Sequence, residues 1–590
     1  MNKKPTKSTF FLFTLLLLFA VYSCKQSIQN TGESTVRVQI LSNPEMLNPL
    51  RFSDGQSDFI LRFMFQQLTD VDYASSETIP LLADSLPKIE KTPDGFMKYT
   101  YRLRPQARWD NGSPVTARDI EFSLKALKNP KVNNPQIKQA YEHCSDFIYD
   151  TKDSLKFTIV FNIPDIFSES NSGGFPVIPE YFYDPKGLLR AFSLKQINQA
   201  ADEKDKEGIK IAADPRLGEF ADDFNSEKRM REKQYISGSG PYSFEEWTTG
   251  QRIVLKKKKN WWGDQLRGTN IFFDNNVSQI VYKIINDMSG SIVALKAHDI
   301  DLMFSIKPKD FAELEKNEKF KASYNTYTPP TLRYDCLSLN CKREKLADTL
   351  TRKAIAHLLD VGQMIQTVMY GYARQTIGPI SPSKSKTYAS DITPYDYNIE
   401  KAKSLLARAG WKDSDGDGIL DKTINGKKIK LELEYSYNSG NDTRKQVGLL
   451  LQEEARKVGI AISLVQQEWS VFLENRKKHN FDIMYGAWSA SYVSDDLKQI
   501  YRSDQSINGG SNYSGFGNAT SDALIDSIRV EMNEEKRNAM YKKLQHIIHD
   551  DAGNIFLWSP TERMAISSKF ENIQTSIIRP GFYEAAFKLK

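Results

Sequence analysis

Apolar and polar positions along the chain switch between two periods. Val36 to Leu41 alternates and predicts a strand, which stops at the turn signals Asn43-Pro44 and Asn48-Pro49. Phe59 to Leu68 has the spacing of a one-sided helix, and Tyr99 to Leu103 alternates again. After the tight turn Asp110-Asn111-Gly112, Thr116 is placed to cap a helix with Asp119 three residues on, and Ile120, Leu124 and Leu127 line its buried face. Lys401 to Trp411 reads as a further helix, stopped at Gly410. At 590 residues the chain is long enough for two or three domains, since a single core stops growing well below that length.

The stretch Trp469 to Asp496 stands apart. Trp469, Phe472, Leu473 and Arg476 fall at i, i+3, i+4 and i+7, so a helix here carries a guanidinium on its apolar face. Phe481 to Trp488 is an apolar run of strand length that leads into a loop-like segment containing Ser491, Tyr492, Asp495 and Asp496. A helix feeding a buried strand, with Arg476 and two tryptophans converging near its end, fits the wall of a ligand pocket in an open α/β sheet. An arginine laying its stem along a core edge beside structural tryptophans satisfies the same spacing.

Charge and composition exclude more than they assign. Lys3, Lys4 and Lys7 precede the apolar run Phe10 to Ala20, which is short for a membrane span and suits a signal-peptide core. With those three removed, 77 basic residues face 74 acidic ones, which gives no reason to propose nucleic acid. The Lys256 to Lys259 run reads as a solvated strand end, and the charged segment Asp202 to Arg231 as an exposed helical insertion. Val21-Tyr22-Ser23-Cys24 resembles a bacterial lipobox, with Tyr22 bulkier than usual. That resemblance implies export, a lipid on Cys24 and a tether from Lys25 to Ser34; ordinary cleavage near Ser23 would instead release a soluble protein. Four cysteines and six histidines show no zinc or thiol-redox spacing, and a bridge between Cys336 and Cys341 is not expected within one strand.

Colinear motifs resemble one family. Leu103-Arg104-Pro105 through Trp109-Asp110-Asn111-Gly112 to Thr116-Ala117-Arg118-Asp119 is similar to the signature of the extracytoplasmic solute-binding proteins of peptide/nickel-class ABC importers. Further blocks follow in the family's order: Ser237-Gly238-Ser239-Gly240-Pro241-Tyr242, Asn260-Trp261-Trp262-Gly263, Leu295 to Asp301 with His298 in place of Gly, Arg352 to Asp360, Tyr370 to Pro382, and Lys401 to Trp411. The resemblance implies a two-lobed periplasmic-binding-protein-like clamshell (type II), with an extra α/β domain inserted in lobe I. On that pattern residues 1–23 are the signal peptide and 24–34 the tether. Lobe I comprises 35–72, 212–325 and 559–590, the inserted domain 73–211, and lobe II 326–558.

In the family's oligopeptide-binding branch, Trp469, Arg476 and Trp488 match three of four cleft positions. The fourth, a carboxylate that pairs with a peptide's amino terminus, is Ser491 here. Tyr492, Asp495, Asp496, or Asp58 from the opposite lobe stand as neighbours or substitutes. What the resemblance implies is a non-catalytic, lipid-anchored, monomeric receptor that captures a small peptide and passes it to a permease powered by separate ATPase subunits. A nickel chelate, an opine or a glycan as ligand, or a signalling or chaperone-like binder without a permease, are the alternatives. No cofactor is expected, and no catalytic triad, nucleophile elbow or phosphate loop supports a hydrolase. Asp413, Asp415 and Asp417 copy the start of an EF-hand loop, but the twelfth position is Ile424; the string fits a plain turn as well as a calcium site.

Overall fold

A computed structural model describes residues 34–490, 492–507 and 510–590. The leader, Cys24 and Ser491 lie outside the described residues. Two mixed sheets organise two lobes. The first has seven strands in the order Tyr324–Tyr327, Met564–Ser567, Leu302–Met303, Thr35–Ile40, Gln279–Ile284, Arg252–Lys257 and Tyr242–Thr248. Val36, Val38 and Ile40 alternate into its core, and the whole of Thr35–Ile40 pairs in parallel with Gln279–Ile284. The second has six strands in the order Ala373–Gln375, Asn554–Pro560, Arg333–Leu339, Ile483–Ser489, Glu432–Asn438 and Ala461–Gln467. Between the lobes the chain crosses by two segments that touch side by side at the bridge between Pro330 and Thr561.

A four-stranded antiparallel sheet, Lys88–Lys91, Met97–Arg102, Lys156–Phe161 and Cys144–Tyr149, is inserted in the first lobe and shares a continuous core with it. The helix Ala117–Lys128 packs nearby, and the Asp119 carboxylate accepts from the Thr116 N–H at 2.9 Å. Two expectations are corrected here. The helix foreseen from Phe59 begins earlier, at Gly55–Leu61, because Asp54 caps it; Phe63, Met64, Phe65 and Leu68 are then buried individually as the chain turns. The segment after Asp202 forms three short helices, and in Pro215–Phe224 the residues Leu217, Phe220 and Phe224 are buried, with Phe220 edge-on to Phe122. Its charged positions are mostly exposed, together with Ile209, and the buried apolar positions of Pro215–Phe224 were masked in the sequence by the Lys, Asp and Glu around them.

Several motif residues turn out to form a structural joint. Asp110, at the tight turn, accepts from the Ser237 hydroxyl at 2.8 Å and pairs with Lys258 at 2.5 Å. Lys258 also donates to the Gly238 carbonyl, so this lysine ties a joint and is not a solvated strand end. Trp261 and Trp262 both donate to the Ser239 carbonyl, at 2.7 and 3.1 Å. A Cβ on Gly240 would lie 2.5 Å from the Phe63 carbonyl oxygen, closer than van der Waals contact allows. Gly240→Ala is therefore expected to cost about 1–3 kcal/mol through displacement of the Phe63–Met64 backbone. Chemical denaturation checks it, and an unchanged midpoint would mean that the turn yields freely. Cys144, Cys336 and Cys341 are free thiols.

Candidate binding cleft

A cavity of about 700 Å³ opens between the lobes beside the two chain crossings. Arg333 and Asp335, two apart at the start of the strand Arg333–Leu339, share one face of the sheet and pair twice, at 2.7 and 3.0 Å. The Tyr485 hydroxyl donates to Asp335 at 2.7 Å, and burial together with that carboxylate raises the phenol's pKa, so it stays a donor. Arg444, in the first turn of the helix Asp442–Arg456, lies over the Tyr485 ring at 5.1 Å and donates to Asn438 at 2.7 Å. From the other lobe Arg563 donates to the carbonyls of Ile306 and Thr561, at 2.5 and 2.6 Å. Sequence reasoning missed this group. Its one legible signal was a charged pair spaced i, i+2 in a strand that is otherwise mostly apolar.

The foreseen helix and strand form as Trp469–Lys477 and Ile483–Ser489. Arg476 lies against two rings, 4.7 Å from the Trp488 centroid and 4.1 Å from that of Tyr513, and its guanidinium makes no hydrogen bond among the described residues. Trp469 is apart from them, half exposed and stacked on Phe472 at 5.8 Å. Trp488 pairs opposite Tyr334 in the sheet, so the Arg476 side and the Asp335 side are opposite faces of the same strands.

Beyond the strand, Tyr492 reaches toward the first lobe. Burial, then the carboxylates of Asp70 and Asp58, raise its phenol pKa, so all three groups are electrostatic neighbours across the cleft. Asp58, on the helix Gly55–Leu61, is open to solvent at its tip yet hemmed in by surrounding protein, and burial raises its pKa. Asp70 is pushed up to about 6, chiefly by burial and in part by Asp58. Asp495, by contrast, is only 5 % exposed and pairs with Lys384 at 2.9 Å, which commits it to the fold of its own lobe. Asp496 lies 3.8 Å from Arg529, and Arg529 pairs with Asp165 of the inserted sheet's side at 2.9 Å. Ile166 N–H donates to the Arg529 carbonyl, and the Ile166 side chain joins a core cluster with Tyr334, Leu497 and Tyr501 of the second lobe. One flank of the cleft is thereby shut.

The Asp413 loop is tied by its own chain. Asp413 accepts from the N–H groups of Gly416 and Gly418, at 2.7 and 3.0 Å, while Asp415 pairs with Lys428 at 2.9 Å and Asp417 with Lys430. Carboxylate oxygens of Asp413, Asp415 and Asp421 come within 4.8 Å of one another, and Lys428 and Lys430 already supply positive charge there.

Residues 77–509 match the family model described as bacterial extracellular solute-binding proteins, family 5 middle. The oligopeptide-binding protein AppA of Bacillus subtilis (strain 168) is 25 % identical over 592 residues, covering 96 % of each chain. Its structure in complex with a nonapeptide superposes with a TM-score of 0.67 at 24 % identity, over 94 % of this chain and 99 % of that one. NikA from Brucella suis, in complex with Fe(III)-EDTA, gives a TM-score of 0.73 at 21 % identity, over 94 % of this chain and all 100 % of that one.

Proposed function

The chain belongs to the bacterial extracellular solute-binding proteins of family 5, and from that premise we propose that its ligand is a small peptide with a free amino terminus. It is a receptor of an ABC transporter and not an enzyme, and it works outside the cytoplasm. The observation that carries the peptide reading is that Asp58 and Asp70 are electrostatic neighbours of Tyr492, and although Arg62 and Arg579 also act on Asp58, the two carboxylates would offer an ammonium group the negative charge that Ser491 does not. The name and the peptide complex of AppA point the same way. On the same reading Cys24 carries the lipid anchor, the monomer delivers its ligand to permease and ATPase subunits, and the lobes divide near residues 72, 211, 325 and 558, with the insert's packing running on to Phe224.

Calorimetry with di- to pentapeptides, after mass spectrometry of what co-purifies, tests the assignment. The sign of the pH dependence follows from Asp70. Its carboxyl is protonated below about pH 6 in the free protein, and an adjacent ammonium stabilises the ionised form, so binding releases a proton. Affinity should therefore fall about tenfold from pH 7 to pH 5, as expected of one linked proton. N-acetylated peptides and the Asp70→Asn protein should lose that slope. A flat profile for free peptides would remove Asp70 from the site, and no binding across the set would sink the peptide itself.

A further inference from the structure

We infer that Asp165, Ile166 and Arg529 form a clasp that holds the inserted sheet against the second lobe whether or not ligand is bound. None of the three lines the cavity beside the chain crossings. The inserted sheet shares one continuous core with the first lobe, so the two move as one body. From its strand Lys156–Phe161 the chain runs on into residues 162–170, and this segment reaches the second lobe. There the Asp165 carboxylate accepts from Arg529 Nη2 at 2.9 Å, and the Ile166 N–H donates to the Arg529 carbonyl at 2.9 Å. Arg529 stands in the last turn of the helix Ala519–Val530, so that carbonyl is among those a helix end leaves without an internal partner. The insert thus caps a helix of the other lobe. Ile166, only 8 % exposed, adds an apolar plug among Leu497, Tyr501 and Ile528.

What surrounds the contact makes it separable. A cavity of about 650 Å³ opens beside it, lined mostly by polar groups: His143, Ser168 and Asn171 on the insert's side face Lys498, Gln499 and Gln505 on the other. Such walls rehydrate readily, so the apolar cost of parting falls chiefly on Ile166 and Phe167. Arg529 keeps Asp496 of its own lobe 3.8 Å from Nε, so its charge is not stranded when Asp165 leaves. Asp165 keeps its own turn, because Oδ1 accepts from the Phe167 N–H at 2.8 Å. Arg537 of the second lobe acts electrostatically on Glu169, which adds attraction without a fixed pair. Another ion pair between the lobes, Lys307 with Asp442 at 3.6 Å, is more than half exposed on both sides and contributes little. A contact made only while the lobes are together favours that state at any ligand concentration. A site completed by closure then gains affinity in proportion to the closed fraction.

Two substitutions release the clasp by different routes. Asp165→Asn leaves Oδ1 for the Phe167 N–H but turns amide N–H groups toward the Arg529 donor. Ile166→Ala removes the plug and keeps the backbone bond. Small-angle scattering from the ligand-free mature chain should give a larger radius of gyration for each variant than for wild type, with unchanged far-UV circular dichroism reporting an intact fold. Trialanine, titrated by calorimetry, should bind each variant about 3- to 30-fold more weakly, below the full range for charge-assisted hydrogen bonds because Arg529 retains Asp496. Equal radii for the three ligand-free proteins overturn the clasp, as does a variant that opens without losing affinity. If trialanine binds none of them, the peptide reading falls, and the scattering comparison alone decides the clasp.

Discussion

Glu584→Ala is expected to lower the stability of the first lobe by about 3–5 kcal/mol, the range for stranding one partner of a buried ion pair. Glu584 is 1 % exposed at its side chain, and Arg62 pairs with it at 2.5 Å. The Tyr282 hydroxyl donates to its other oxygen at 2.7 Å, while Arg62 spends a further donor on the Tyr73 hydroxyl and lies 4.7 Å from the Phe63 ring centroid. Removing the carboxylate leaves a guanidinium among aromatic rings with only Asp58 and Asp70, both beyond ion-pair distance, to offset its lost hydration. Replacing both partners, as in Arg62→Met with Glu584→Leu, should return most of the loss, because no charge is then left unpaired. Urea unfolding monitored by fluorescence reads the effect; a single variant within about 1 kcal/mol of wild type would show that water reaches Arg62. The functional cost follows from position. Arg62 closes the helix that carries Asp58, so the same substitution should weaken ligand capture before the lobe unfolds.

What could be read from the chain beforehand divides along physical lines. Local periodicity located Thr35–Ile40, Ile399–Arg408 and Trp469–Lys477 to within a few residues, because alternation and helical spacing are set by neighbours in the chain. The placement of Arg476 beside Trp488 was legible for the same reason: a helix and the next strand are adjacent. Asp70 and Arg563 carried no such mark. Their significance comes from groups hundreds of residues away, as with Arg529 and Asp165, which are 364 positions apart and meet across the cleft. Strand parity was the subtler failure. Trp488 and Asp335 lie in paired strands, but alternation sends them to opposite faces, so the expected wall and the guanidinium cavity flank the same strands without merging. Asp495 misled because a carboxylate in a loop looks free until Lys384, 111 positions earlier, is found against it.

Arg476→Ala should cost the second lobe about 2–4 kcal/mol, combining a desolvated cation–π contact with the lost packing of its stem. Two rings, Trp488 and Tyr513, would lose the plane they rest on, at 4.7 and 4.1 Å. Arg476→Lys keeps the charge but not the planar face, so it should recover less than half of the loss. The consequence for binding is where a wall residue and a core-edge residue part company. Trp488 lies next to the end of the strand that leads toward Tyr492, so loosening it should weaken ligand binding by about tenfold in protein that is still fully folded, one contact's worth of misplacement. Asp58 and Asp70 stand on the other lobe and keep their mutual geometry. The fall in affinity between pH 7 and pH 5 should therefore persist in Arg476→Ala even as the absolute affinity drops. Loss of the pH slope would mean that Arg476 holds Tyr492 against the carboxylates, and unchanged affinity in the folded variant would assign the arginine to the core edge alone.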